Sequence, residues 1–165
     1  MEHDTFGTGF RFSRSSSKEI ELSDSPIDAL PRAMPNVVLQ PSSWPRPKGY
    51  ANGIKARGDL LFIGGMVGAD DRGCFAADFL GQTRQLLANI LTVLAEGGAS
   101  ARHIVRMTWY VRDMDEYLQA RSALGEVYRQ VMGDHYPAMA LVAVTRLVAP
   151  EARLEIEATA VVPES

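Results

Sequence analysis

Residues 154–162 read LEIEATAVV, and their alternation restricts the fold more than any other feature of the chain. In an extended segment Leu154, Ile156, Ala158, Ala160 and Val162 point one way, and Glu155, Glu157, Thr159 and Val161 point the other. Such a strand needs a sheet covered on one face only. Two amphipathic segments can supply the cover. Asp78 caps a helix running to about Glu96, with Thr83, Leu86, Leu87, Ile90 and Leu94 as its apolar stripe and Gln82, Arg84, Gln85 and Asn89 opposite. Gly97 and Gly98 end it. Asp113 with Glu116 reads as a capping box for a second helix whose apolar face is Leu118, Leu124, Val127, Tyr128 and Val131, closed by Gly133.

The remaining strands follow from local pattern. YANGIKARGDLLFIGGMVG (50–68) reads as a hairpin of two short strands turning at RGD (57–59). HIVRMTWYVRD (103–113) is β-branched and aromatic, and AMALVAVTRL (138–147) leads through a turn at VAPE into the final strand. The order β-β-α-β-α-β-β predicts an α+β fold, a single mixed β-sheet with two helices packed on one face. Residues 1–33 are polar and Ser-rich without sustained periodicity and are expected to be an N-terminal extension, leaving residues 34–165 as one domain entered through the proline-constrained loop PSSWPRPKGY (41–50).

Composition bounds the function. A net charge of −3, with no block of Lys and Arg, argues against a surface built to neutralise nucleic-acid phosphates. No apolar run approaches a membrane span, Cys74 is the only cysteine, and no apolar leader is evident, so a cytoplasmic location is expected. His3, His103 and His135 are isolated, so neither a metal nor a cofactor is expected. The chain has no G-x-S-x-G elbow, and nothing near Cys74 in sequence would activate its thiol. GGMVGA (64–69) lacks nucleotide-loop spacing; it is either a tight turn or a place where backbone amides approach a ligand. Glu155 and Glu157 can position water or accept a proton, and equally can be a solvated strand face or a subunit contact. Tyr50 either donates a hydrogen bond into a cleft or anchors its loop.

Taken together, GYANG (49–53), LLFIGGM (60–66), QTRQLLANILTVLAEGGAS (82–100), HIVRMTWYVRDMDEY (103–117), PAMALVAVTRL (137–147) and LEIEATAV (154–161) resemble the RidA/YjgF family of reactive-intermediate (enamine and imine) deaminases. The resemblance runs from about Gly49 to Val162. It implies a RidA/chorismate-mutase-like fold, a homotrimer with ligand clefts between subunits, and a hydrolase of metabolite damage control acting on a small-molecule enamine or imine. By position it makes Glu155 the carboxylate that holds the hydrolytic water and Tyr50 a cleft residue. Gly65 becomes a backbone amide on the ligand, and the carbonyl of Leu141 a second water ligand. Gly64 and Met66 replace the family's Ser and Gln around Gly65.

The departure is Met139, where the deaminating branch carries an arginine that grips the substrate carboxylate. Loss of a buried pair of that kind removes about 2–5 kcal/mol of binding, about 30-fold and upward in affinity. Arg146, seven residues on, points to the opposite face of a continuous strand. The expectation is a deaminase whose pocket, apolar at Met139, suits a neutral or larger substrate. The alternative is a non-catalytic member that binds a metabolite or a protein, and nuclease activity fits poorly with the acidic chain.

Overall fold

The structure, a computed structural model, describes residues 36–164. It comprises β1 (Val37–Leu39), β2 (Gly53–Lys55), β3 (Asp59–Val67), α1 (Phe79–Glu96), β4 (Ile104–Val111), α2 (Met114–Met132), β5 (Ala138–Ala143) and β6 (Leu154–Val162). Four strands form one mixed sheet in the order β3-β6-β4-β5, antiparallel except for the parallel β4–β5 pair. Two helices pack on this sheet, as the alternation in β6 requires. Leu154, Ile156, Ala158 and Ala160 are buried, whereas Glu155, Glu157 and Thr159 are only partly covered. At the strand's end the alternation lapses and Val161 is buried as well.

α1 follows its sequence signals closely. The Asp78 side chain accepts from the Gly81 amide, Thr83, Leu86, Leu87, Ile90 and Leu94 are fully enclosed, and Gly98 takes the left-handed φ of 69° beyond the last turn. Each buried aliphatic side chain of this stripe contributes about 1.5–3 kcal/mol of transfer free energy. Gln82 does not lie on a solvated face as its helical position suggests; it is 2 % exposed. Its Nε2 donates to the carbonyls of Ala76 and Glu151, and its Oε1 accepts from the Arg153 amide, so the first turns of α1 hold the connection that leads into β6.

α2 departs from expectation at two points. The Asp113 side chain accepts from the Asp115 and Glu116 amides, but the Glu116 carboxylate, expected to close the capping box, pairs with Arg153 instead. Leu118 is 51 % exposed. A spacing of six from Leu124 is not a helical-face spacing, and Tyr117, seven residues before Leu124 and close to two turns, packs against the core in its place.

The expected 50–68 hairpin does not form. β2 pairs with β1, Val38 opposite Ile54, while β3 pairs with β6, starting at Asp59 opposite Val162. Gly58, at φ 145°, carries the chain across the end of β6, where a Cβ would strike the Val162 carbonyl. β5 stops at Ala143, so Arg146 stands in an irregular segment and the strand parity invoked for it does not apply. The predicted extension, residues 1–33, lies outside the described residues.

Candidate active site

The glycine pair that reads either as a tight turn or as a place of close backbone approach is a bulge within β3. Ile63 faces Ala158 and Met66 faces Ile156, so three steps on β3 match two on β6, and Gly64 and Gly65 stand outside the ladder. The Glu155 side chain lies across residue 65, and a Cβ there would collide with the carboxylate. Only glycine lets the two approach. The Glu155 carboxylate has no hydrogen bond or ion pair among the described residues, whereas the Tyr110 hydroxyl donates to Glu157 Oε1 at 3.1 Å. Burial and the neighbouring Glu157 carboxylate raise the Tyr110 hydroxyl above its ordinary range. Of the two glutamates that strand alternation alone does not tell apart, Glu157 is engaged, and Glu155, the one the resemblance singles out, is available among the described residues. Met66, named with Gly65 from the sequence, packs against the core rather than beside Glu155.

The other named residues lie elsewhere. Met139 and Leu141 sit opposite Met107 and Trp109 in the β4–β5 register, on the helix-covered side of the sheet, while Glu155 lies opposite Tyr110 on the uncovered side. Tyr50 reaches the same edge as Met139. The Ala51 amide donates to the Pro137 carbonyl at 2.9 Å, and Ala51 bridges Ala138. Together Tyr50, Met139 and Leu141 line a cavity of about 490 Å³ between this edge and α2. Its other walls include Trp109, Tyr117, Tyr128 and Tyr136, with Tyr128 and Tyr136 stacked at 5.1 Å and 14°. Burial drives the Tyr128 hydroxyl to well above its usual ionisation range, so it stays protonated and donates to the His135 carbonyl.

Lys48, Arg121 and Arg129 also line this cavity, and among the described residues no carboxylate does. The lining beside Met139 is therefore cationic as well as apolar. Sequence reading missed these groups, although Tyr117, Arg121, Gly125 and Arg129 recur every four residues along α2. Among the described residues no three His, Cys, Asp or Glu side chains gather as metal ligands, and no helix is long and apolar enough to cross a membrane.

Residues 44–162 match the family model described as endoribonuclease L-PSP. A RutC family protein of Pyrococcus horikoshii is 36% identical over 126 residues, covering 74% of this chain and 95% of its own length. TdcF of Escherichia coli K12, described as a candidate reactive intermediate deaminase, is 31% identical over 116 residues, covering 68% of this chain and 85% of that protein. Among solved structures, the Rid family protein YyfB of Yersinia pestis superposes with a TM-score of 0.69 at 29% identity, covering 78% of this chain and 100% of YyfB. The structure of Escherichia coli TdcF with bound serine gives 0.56 at 30% identity, covering 76% and 98%. With the mixed sheet, its two covering helices and the Gly65–Glu155 corner in place, these likenesses agree on one assignment: the chain belongs to the RidA/YjgF family.

Proposed function

We propose that the chain is a hydrolytic deaminase of reactive enamine and imine intermediates. The observation that carries this reading is the unengaged Glu155 carboxylate lying over Gly65 at the β3 bulge. An enamine first takes a proton on carbon to become the imine. Water held by Glu155 adds its oxygen to the imine carbon and gives up a proton to the carboxylate. That proton passes to the amine nitrogen, the new hydroxyl gives its own proton through the carboxylate to the same nitrogen, and the C–N bond breaks as the carbonyl forms, releasing ammonia. The Gly65 amide, outside the ladder, donates toward the polarised substrate.

Glu155 and the Tyr50–Met139–Leu141 cavity are on opposite faces of one sheet, so one chain does not close both around one small molecule. A neighbouring copy brings the cavity of one chain to the corner of another. Support for that assembly is the uncovered face itself, where Leu60 and Phe62 are 59 % and 77 % exposed. The reading is therefore a homotrimer with clefts between subunits, and light scattering should give about three times the mass of one chain.

Trapping of imines with semicarbazide tests the chemistry. The full chain should accelerate imine loss, and Glu155→Ala should abolish the acceleration. The second reading, a member that binds a metabolite or a protein without turnover, is favoured by Met139 in place of the family arginine, and it prevails if no imine in a panel of carboxylate and neutral compounds is hydrolysed faster than in buffer.

A further inference from the structure

Cationic side chains reach the cavity beside Met139 from a different element, α2. Arg121, Gly125 and Arg129 succeed one another at intervals of four on α2, all facing the 490 Å³ cavity. Gly125 leaves a bare floor between the two arginines. Arg129 folds back over that floor, its Nη1 lying 3.6 Å from where a Cβ on residue 125 would be. Neither guanidinium has an ion pair among the described residues, and no carboxylate lines the cavity. Arg121 and Arg129 stand about two turns apart, but the fold-back of Arg129 over residue 125 carries its guanidinium toward Arg121, and an anion placed between the two relieves their repulsion while accepting planar, directional hydrogen bonds.

The opposite wall has a different character. Tyr128 and Tyr136 stack with their rings 5.1 Å apart, and Met139 stands beside them with its polarizable sulfur. A shorter side chain at 139 than the family arginine also leaves room next to these rings. The volume matches that of sites for ligands much larger than a three-carbon acid.

We propose that Arg121 and Arg129 form a carboxylate clamp on α2, and that the cavity selects anions bearing an aromatic ring, which packs against Tyr136 and Met139. The identity of that anion as the oxo acid released by imine hydrolysis rests on the function proposed above; the clamp itself does not.

Calorimetric titration of the full chain with phenylpyruvate, phenylacetone and pyruvate separates the two requirements, because phenylacetone lacks the carboxylate and pyruvate lacks the ring. Phenylpyruvate should bind at least about tenfold more tightly than either. The double variant Arg121→Gln, Arg129→Gln should lose about tenfold for phenylpyruvate and little for phenylacetone. Both arginines are exposed on a helix whose core residues are untouched, and replacing both by lysine, which keeps the charge, should restore part of the affinity. Equal binding of phenylpyruvate and phenylacetone, or unchanged affinity in the glutamine variant, overturns the clamp. Hydrolysis of imines with no dependence on Arg121 and Arg129 overturns the identity of the anion as the released oxo acid and leaves the deaminase. Clamp-dependent binding in a chain that hydrolyses nothing supports the clamp and removes the deaminase.

Discussion

The two faces of the four-stranded sheet are built by alternate residues of the same strands, yet they differ in almost every physical respect. On the covered face Met107, Trp109, Val111, Leu154 and Ile156 meet the two helices and are enclosed. On the uncovered face Arg106, Thr108, Tyr110, Glu155 and Glu157 share the surface with Leu60 and Phe62. One face gains its free energy by excluding water; the other keeps polar groups accessible and relies on apolar neighbours that a second copy can cover. The chemistry proposed above uses the second face, and the cavity lined by Met139 and Leu141 opens where the first face runs out, at the β5 edge. The cost of altering a residue should therefore follow its parity along the strand and not its distance from the candidate site.

The largest effect belongs to the covered face. Leu86→Ala should lower the unfolding free energy by about 2–5 kcal/mol, read from urea denaturation, because a fully enclosed leucine leaves a cavity that the close-packed layer refills only in part. Next is Gly65→Ala, whose methyl would push Glu155 aside. Turnover should fall about a hundredfold while phenylpyruvate affinity stays within about twofold, and an equal loss of both would merge the two regions that the sheet separates. Phe62→Ser acts on the uncovered face and should shift sedimentation toward single chains, with intrinsic stability within about 0.5 kcal/mol; an unchanged mass would leave that face without a partner.

The smallest effect concerns acidity. Burial, then the nearby charges of Arg102 and His135, hold the His103 imidazole below its ordinary value, and its Nδ1 accepts from the Ser100 amide at 3.0 Å. The unfolded chain therefore binds a proton more readily than the folded one. This contribution to stability is present above the ordinary histidine range and is lost as pH falls through it toward the lower folded value. The drop in urea midpoint between neutral and mildly acidic pH should be slightly smaller in His103→Gln than in the parent chain.

Much of the fold is legible wherever a local signal has a local cause. Asp78 and Gly98 bound α1 because caps act on backbone groups within a few residues, and the α1 stripe is read off its own periodicity. The failures are non-local. The 50–68 hairpin is a sound reading of its own residues and is overridden because β1 offers β2 a partner and β6 offers one to β3. Gly64 and Gly65 fit a turn or a bulge equally well, and the strand opposite decides. Glu155 and Glu157 are equivalent by strand alternation, and the hydroxyl of Tyr110, 47 residues from Glu157 in the chain, distinguishes them physically. Arg121 and Arg129 were within reach, since a spacing of eight, about two helical turns, is visible in the letters. They pass for a solvated helix face because the letters do not show which face of α2 borders the cavity, nor that among the described residues neither arginine has an ion pair.

Gln82 carries a consequence for how this chain can vary. By donating to the Glu151 carbonyl and accepting from the Arg153 amide, its side-chain amide imitates the two-way exchange a neighbouring peptide group would make in a ladder. It is in effect a strand one residue long, projected from a helix. The start of β6 is thereby fixed without reference to the path taken from Val144 to Pro150, and that path is free to lengthen or shorten without moving Glu155. The tolerance has a narrow chemical condition: a glutamate at 82, identical in shape, would turn an acceptor toward the Glu151 carbonyl, so one atom, nitrogen in place of oxygen, sets the start of the strand whatever the length of the loop before it.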